Sequence, residues 1–74
     1  MSVCDMKTGE RVRVVKVALD EAVRTRLYYL GVAVGAELVL LKVSLLRNTY
    51  LVQARSTKLA IGREVAEGIK VCQA

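Results

Sequence analysis

The stretch RLYYLGVAVGAEL, residues 26–38, sets two glycines four apart among leucine, valine and alanine. Three readings compete for it: a phosphate-binding loop, part of a membrane span, or a sharp backbone corner in a small barrel. The flanks decide between them. Residues 20–30 carry the marks of a helix, with Asp20 suited to the N-cap, Glu21 to the positive end of the dipole, and Arg24 and Arg26 falling later. Val23, Leu27 and Leu30 follow the i, i+4, i+7 rhythm and predict one buried stripe. Gly31 then stands just past the C-cap, where a left-handed backbone costs glycine least, and Val32 is placed to fold back onto Leu27. Gly35 takes the third place of a type II turn, Ala33-Val34-Gly35-Ala36, which requires positive φ. The pair therefore ends a helix and launches a strand. It has no Gly-Lys-Ser/Thr end of a P-loop and follows a helix instead of preceding one. The uncharged run Leu27–Ala36 is far shorter than the ~20 apolar residues of a spanning helix.

The rest of the chain reads mainly as short strands. Lys7-Thr8-Gly9-Glu10 is a turn signal before RVRVVKV at 11–17, whose apolar face changes parity between Val14 and Val15. A bulge or sharp coil there would do this, carrying the apolar face on through Val15 and Val17 of a strongly bent strand. ELVLLKV at 37–43 is apolar on nearly both faces and so predicts a central strand. Ser44–Thr49 is a hairpin loop, after which Tyr50, Val52 and Ala54 alternate into the next strand with Tyr50 on the core side. Lys58–Ile61 predicts a further strand, Gly62–Gly68 a single helical turn with Val65 and Ala66 inward, and Ile69–Cys72 the last strand. About five strands, one main helix and one helical turn predict a small SH3-like barrel, a single domain over residues 1–74.

Composition supports this and removes several chemistries. A chain of 74 residues buries only about 60% of its unfolded surface, so its core must be dense, and 54% of this chain is hydrophobic. The apolar residues are mostly Val, Leu, Ile and Ala, with no Trp or Phe, which favours strands. The polar, mixed N-terminus MSVCDMKTGE contains no cleavable signal, and a cytoplasmic location without membrane insertion is expected. Nucleophilic catalysis needs a base beside the nucleophile, and the chain has no His. Its seven acids fall mostly at turns and element ends. No enzyme activity, no cofactor and no catalytic residue are expected. Cys4 and Cys72 do not form a CxxC pair; two thiols fall short of the usual four metal ligands, and free thiols are the default in a cytosolic chain. The termini of small domains often lie together, so a meeting of the two stays open.

The quoted elements, in this order and spacing, resemble the FeoA family of small proteins of bacterial ferrous iron transport. The resemblance runs from Lys7-Thr8-Gly9-Glu10 through Arg26-Leu27…Leu30-Gly31-Val32…Gly35 to Leu59-Ala60-Ile61…Ala66…Ile69-Lys70-Val71. It departs from the family pattern at Val34, at Asn48-Thr49 and at Ser56, where the family commonly has Pro, Pro and Gly. The resemblance implies an SH3-like barrel that acts as a cytosolic, non-catalytic accessory to FeoB, the membrane iron transporter with a GTP-binding domain. A free-standing chain without a helix-turn-helix favours that role over the repressor domains that share the fold.

Two surfaces are candidates for the partner. The helix face opposite the expected stripe carries Arg24, Thr25, Tyr28 and Tyr29, and Arg and Tyr are frequent binding anchors. The plainer expectation is a solvated face with the tyrosines half-packed on the barrel. Leu45 and Leu46 in the hairpin loop are the second candidate, against the expectation that they cap an open barrel end. Twelve basic against seven acidic residues give a net charge of +5, compatible with a solvated surface or with RNA. The RNA alternative lacks an evident set of exposed aromatics among the basic residues. A metal role through Cys4 and Cys72 is the third reading.

Overall fold

A computed structural model describes residues 1–74. Five strands, β1 (Arg11–Val17), β2 (Glu37–Val43), β3 (Thr49–Ala54), β4 (Thr57–Gly62) and β5 (Ile69–Gln73), form one antiparallel sheet in the order β4-β3-β2-β1-β5. Helix α1 (Glu21–Tyr29) joins β1 to β2, and the short α2 (Arg63–Gly68) joins β4 to β5. The nearly two-sided apolar β2 is the middle strand, as its sequence predicts. The fold is mainly β and SH3-like. The ladder is left open, because β4 and β5 are edges that do not pair with each other. Helix α2 spans from one edge to the other, and its Ala66 and Gly68 are buried.

Irregular pairing bends the sheet. Val14 faces Val71 and Lys16 faces Lys70, so Val15 is the extra residue of a bulge in β1. The bulge sits where the sequence changes parity, yet it turns Val15 outward (48% exposed) and returns only Val17 to the core. The inward position expected for Val15 is therefore corrected. A second register shift, between Leu40 and Lys42, bends β2 against β3. Bulges add local twist and curl a sheet over a small core. The core gathers side chains from all five strands, α1 and α2, among them the fully buried Val12, Leu38, Leu40, Val52 and Ile69, with Tyr50 also inside.

The N-terminal segment is a structural part that the sequence does not announce. Val3–Asp5 form a 3-10 turn closed by a capping box, in which the Ser2 N–H donates to Asp5 Oδ2 at 2.9 Å. Ser2 bridges to Lys70, and the Val71 N–H donates to the Met1 carbonyl at 2.8 Å, so this segment lies along the free edge of β5. Val3 and Met6 enter the core from it.

Candidate functional site

Helix α1 is positioned by its two ends. Asp20 Oδ1 accepts the Val23 N–H at 3.0 Å, which satisfies one of the donors that every helix start leaves free. At the other end Leu30 is the C-cap and Gly31 has φ +95°. The Gly31 N–H donates to the Tyr28 carbonyl at 3.0 Å and the Val32 N–H to the Leu27 carbonyl at 2.8 Å. These are the paired bonds of a Schellman motif, which brings the residue after the glycine back over the last turn. Val32 and Leu27 are both buried. Leu30, predicted as part of the buried stripe, is 39% exposed. Val32, which this motif returns toward the last turn, is buried in its stead (1% exposed).

The next corner follows the sequence reading. The Ala36 N–H donates to the Ala33 carbonyl at 2.9 Å, and Gly35 has φ +93° while Val34 does not have positive φ, as a type II turn requires. Val14 exchanges bonds with this corner, its N–H donating to the Ala36 carbonyl and its carbonyl accepting from the Gly35 N–H, both at 2.8 Å. The corner is thereby fixed beside the β1 bulge.

Helix, bulge and corner enclose an open groove of about 670 Å³. Val15, Lys16 and Val17 line it from β1, Arg24, Thr25, Tyr28 and Tyr29 from α1, and Val32, Ala33 and Val34 from the corner. The structure thus gathers Arg24, Tyr28 and Tyr29 at one concavity. Tyr28 and Tyr29 are 65% and 81% exposed, so the expectation that they half-pack on the barrel is corrected. Their rings meet edge to face, with centroids 5.8 Å apart and planes at 82°. Sequence reasoning misses Val15, Lys16 and Val17 of β1 and Val32, Ala33 and Val34 of the corner. The parity break at Val14–Val15 is the signal for the β1 residues, but parity by itself predicts Val15 inward. Only Lys16 and Arg24 bring charge to this lining, and both are cations.

Leu45 and Leu46 lie elsewhere, at the β2–β3 hairpin tip, and do not line this groove. At 101% and 80% exposed they cap nothing, which corrects that expectation. Cys4, half-buried on the 3-10 turn, donates through Sγ to the Arg63 carbonyl at 3.7 Å. Cys72 is exposed on β5 opposite Arg13, and both thiols are free. No three Cys, Asp or Glu side chains converge to hold a metal ion. No helix is long and apolar enough to cross a membrane. Arg11 and Arg13 pair with Glu37 at 3.8 and 3.3 Å, while Lys16 lines the groove.

The comparisons with known proteins agree with this architecture. The FeoA domain family matches residues 1–72. The FeoA protein from Chlorobium tepidum superposes with a TM-score of 0.90 at 38% identity, over 96% of this chain and 68% of that one. Two less similar structures share the fold. The iron(II) transport protein A from Clostridium thermocellum gives a TM-score of 0.89 at 17% identity, over 96% of this chain and 44% of its own. An iron uptake regulatory protein (FeoA) gives 0.84 at 21% identity, over 97% and 93%. None of the curated proteins matches. The family match over nearly the whole chain and the shared fold at 38% identity establish that this chain belongs to the FeoA family.

Proposed function

We propose that this protein is a non-catalytic, cytoplasmic accessory of ferrous iron transport, and that its α1–β1 groove holds a segment of the cytosolic part of a FeoB-type membrane transporter. Family membership supports the iron-transport role. The observation that carries the partner reading is the groove itself. It combines exposed aromatic and β-branched side chains with two cations and no carboxylate in its lining. Surface-exposed tyrosines beside an arginine are the residue types that dominate binding energy in protein interfaces. The charge balance selects an apolar segment that carries acidic residues. Leu45 and Leu46 form a separate surface and are not needed for this contact.

The test is titration of the double variant Arg24→Glu/Tyr29→Ala against the transporter's soluble domain, with circular dichroism as the fold control. Both side chains are exposed, so the fold is expected to persist. Binding is expected to weaken by about 2 kcal/mol or more, roughly thirtyfold, if they act as interface anchors. Unchanged binding by the folded variant would reject the groove. Failure of the wild type to bind the full-length transporter would reject the partner itself.

A further inference from the structure

The segment from Leu38 to Arg63 contains no Asp or Glu and carries Lys42, Arg47, Arg55, Lys58 and Arg63. The remaining seven basic residues are matched by the seven acids, so this segment holds the whole net charge of +5. The β2–β3 hairpin lies within it, and its tip carries Leu45 and Leu46.

The tip is held, with its leucines outward. Ser44 Oγ accepts the N–H groups of Asn48 and Thr49, each at 3.2 Å. The Arg47 N–H donates to the Ser44 carbonyl at 2.9 Å. The Arg63 N–H donates to the Asn48 carbonyl at 3.1 Å, which ties the start of α2 to the same end of the molecule. Leu45 is 101% exposed, as free of neighbours as in an extended peptide. Arg47 sits within the tip itself, and Arg63 is tied to Asn48 beside it; both are exposed. Neither forms an ion pair, nor does the exposed Lys42 on β2. Arg55 and Lys58 lie at the other end of β3.

We infer that the Leu45–Leu46 tip, with Lys42, Arg47 and Arg63 around it, is a docking point for the surface of an anionic lipid bilayer. An apolar point inside a collar of unpaired cations matches a bilayer surface, where acyl chains lie just beneath acidic headgroups. Each basic side chain near such a surface strengthens binding about fivefold. Each leucine that leaves water adds about tenfold or more. Neither contribution alone holds a protein at a membrane, and the two together give a reversible contact. The tip is separate from the α1–β1 groove, so this contact stands whether or not the groove binds a transporter.

The test is sedimentation of the protein with vesicles of phosphatidylcholine mixed with phosphatidylglycerol, against vesicles of phosphatidylcholine alone. The wild type is expected to pellet with the mixed vesicles only, and less as salt rises through screening of the headgroup charge. Leu45→Ser/Leu46→Ser is expected to reduce the affinity about a hundredfold, one tenfold factor for each leucine. Arg47→Glu is expected to reduce it at least fivefold. Neither variant touches the core, and circular dichroism checks that both are folded. The chain has no Trp, so Leu46→Trp supplies a single reporter, whose emission is expected to shift to the blue on the mixed vesicles. A wild type that stays in the supernatant overturns the proposal. So does equal sedimentation of the leucine double variant, which would mean attraction by charge alone. Indole emission from Leu46→Trp that stays water-like on pelleted vesicles overturns insertion of the tip. A lipid-free dimer that the leucine double variant abolishes would show that a second copy covers the tip, and this also overturns it.

Discussion

The Val32 N–H donates to the Leu27 carbonyl at 2.8 Å across Gly31, and this bond turns the chain out of α1 and under its last turn. It depends on φ +95° at Gly31, while a Cβ there would meet only Ala54, its Cβ at 3.6 Å and its carbonyl oxygen at 3.9 Å, both ordinary contacts. The cost of a side chain is therefore conformational. Gly31→Ala is expected to destabilise the protein by about 1 kcal/mol or more. In a domain of this size that lowers Tm by roughly 4–8 °C, measured by thermal unfolding. An unchanged Tm would mean that the corner relaxes at no cost.

Val34 occupies the second place of the type II turn, where proline is favoured. Its N–H makes no hydrogen bond and its side chain is 69% exposed, so a proline ring removes neither a bond nor much buried surface. Val34→Pro is expected to stabilise by about 0.4–1 kcal/mol through a less free unfolded chain. Chemical denaturation checks this, and the midpoint should rise with the m-value unchanged.

Two groups give the stability a pH dependence of known sign. Asp5 is held below its ordinary value of 3.8, first by the hydrogen bond from the Ser2 N–H. Its contribution is present above that value and is lost as pH falls through and below it. Asp5→Asn should therefore flatten the acid limb of a Tm-against-pH curve. Tyr50 is pushed above its ordinary 10.0, chiefly by burial, with Cys4 beside it adding to the effect. The unfolded chain loses this proton first, so stability is lost as pH rises above 10. Tyr50→Phe should lessen that alkaline loss.

Lys16 stands at the β1 bulge on the groove wall, with no ion pair. Lys16→Glu is expected to weaken binding of the transporter's soluble domain by about fivefold to tenfold, mainly through a slower association that is sensitive to salt. Surface plasmon resonance at two ionic strengths measures it. An increase in affinity would mean that the bound segment is basic.

The isolated protein is expected to show no saturable binding of GTP, since the glycine pair serves two backbone corners and no P-loop is present. Calorimetric titration checks this. The exposure of Tyr28 and Tyr29 beside Arg24 gives an RNA contact one feature it needs. Their edge-to-face pairing, however, sets one ring's edge against the other's face, which leaves less free surface for bases. No electrophoretic shift of RNA is expected even at low salt, and a shift that vanishes steeply with salt would revive that alternative.

Much of this molecule is written locally. The Asp20 cap, the Gly31 and Gly35 corners, the β1 bulge and the central place of β2 each follow from a few neighbouring residues. Their causes are left-handed φ, a capping oxygen and a break in alternation, and these act within one turn of chain. The outcome differs wherever a side chain's surroundings come from distant sequence. Val15 points outward because the bulge absorbs it against Val71 and Lys70 of β5. Val3 and Met6 are core because the N-terminal segment runs along the free edge of β5. Arg24, Tyr28 and Tyr29 are legible as a polar and aromatic helix face. That this face becomes one wall of a groove is decided by the packing of α1 beside the bulge and the Val34 corner. Periodicity reports which way a residue points within its own element, while burial depends on what the rest of the chain places opposite it.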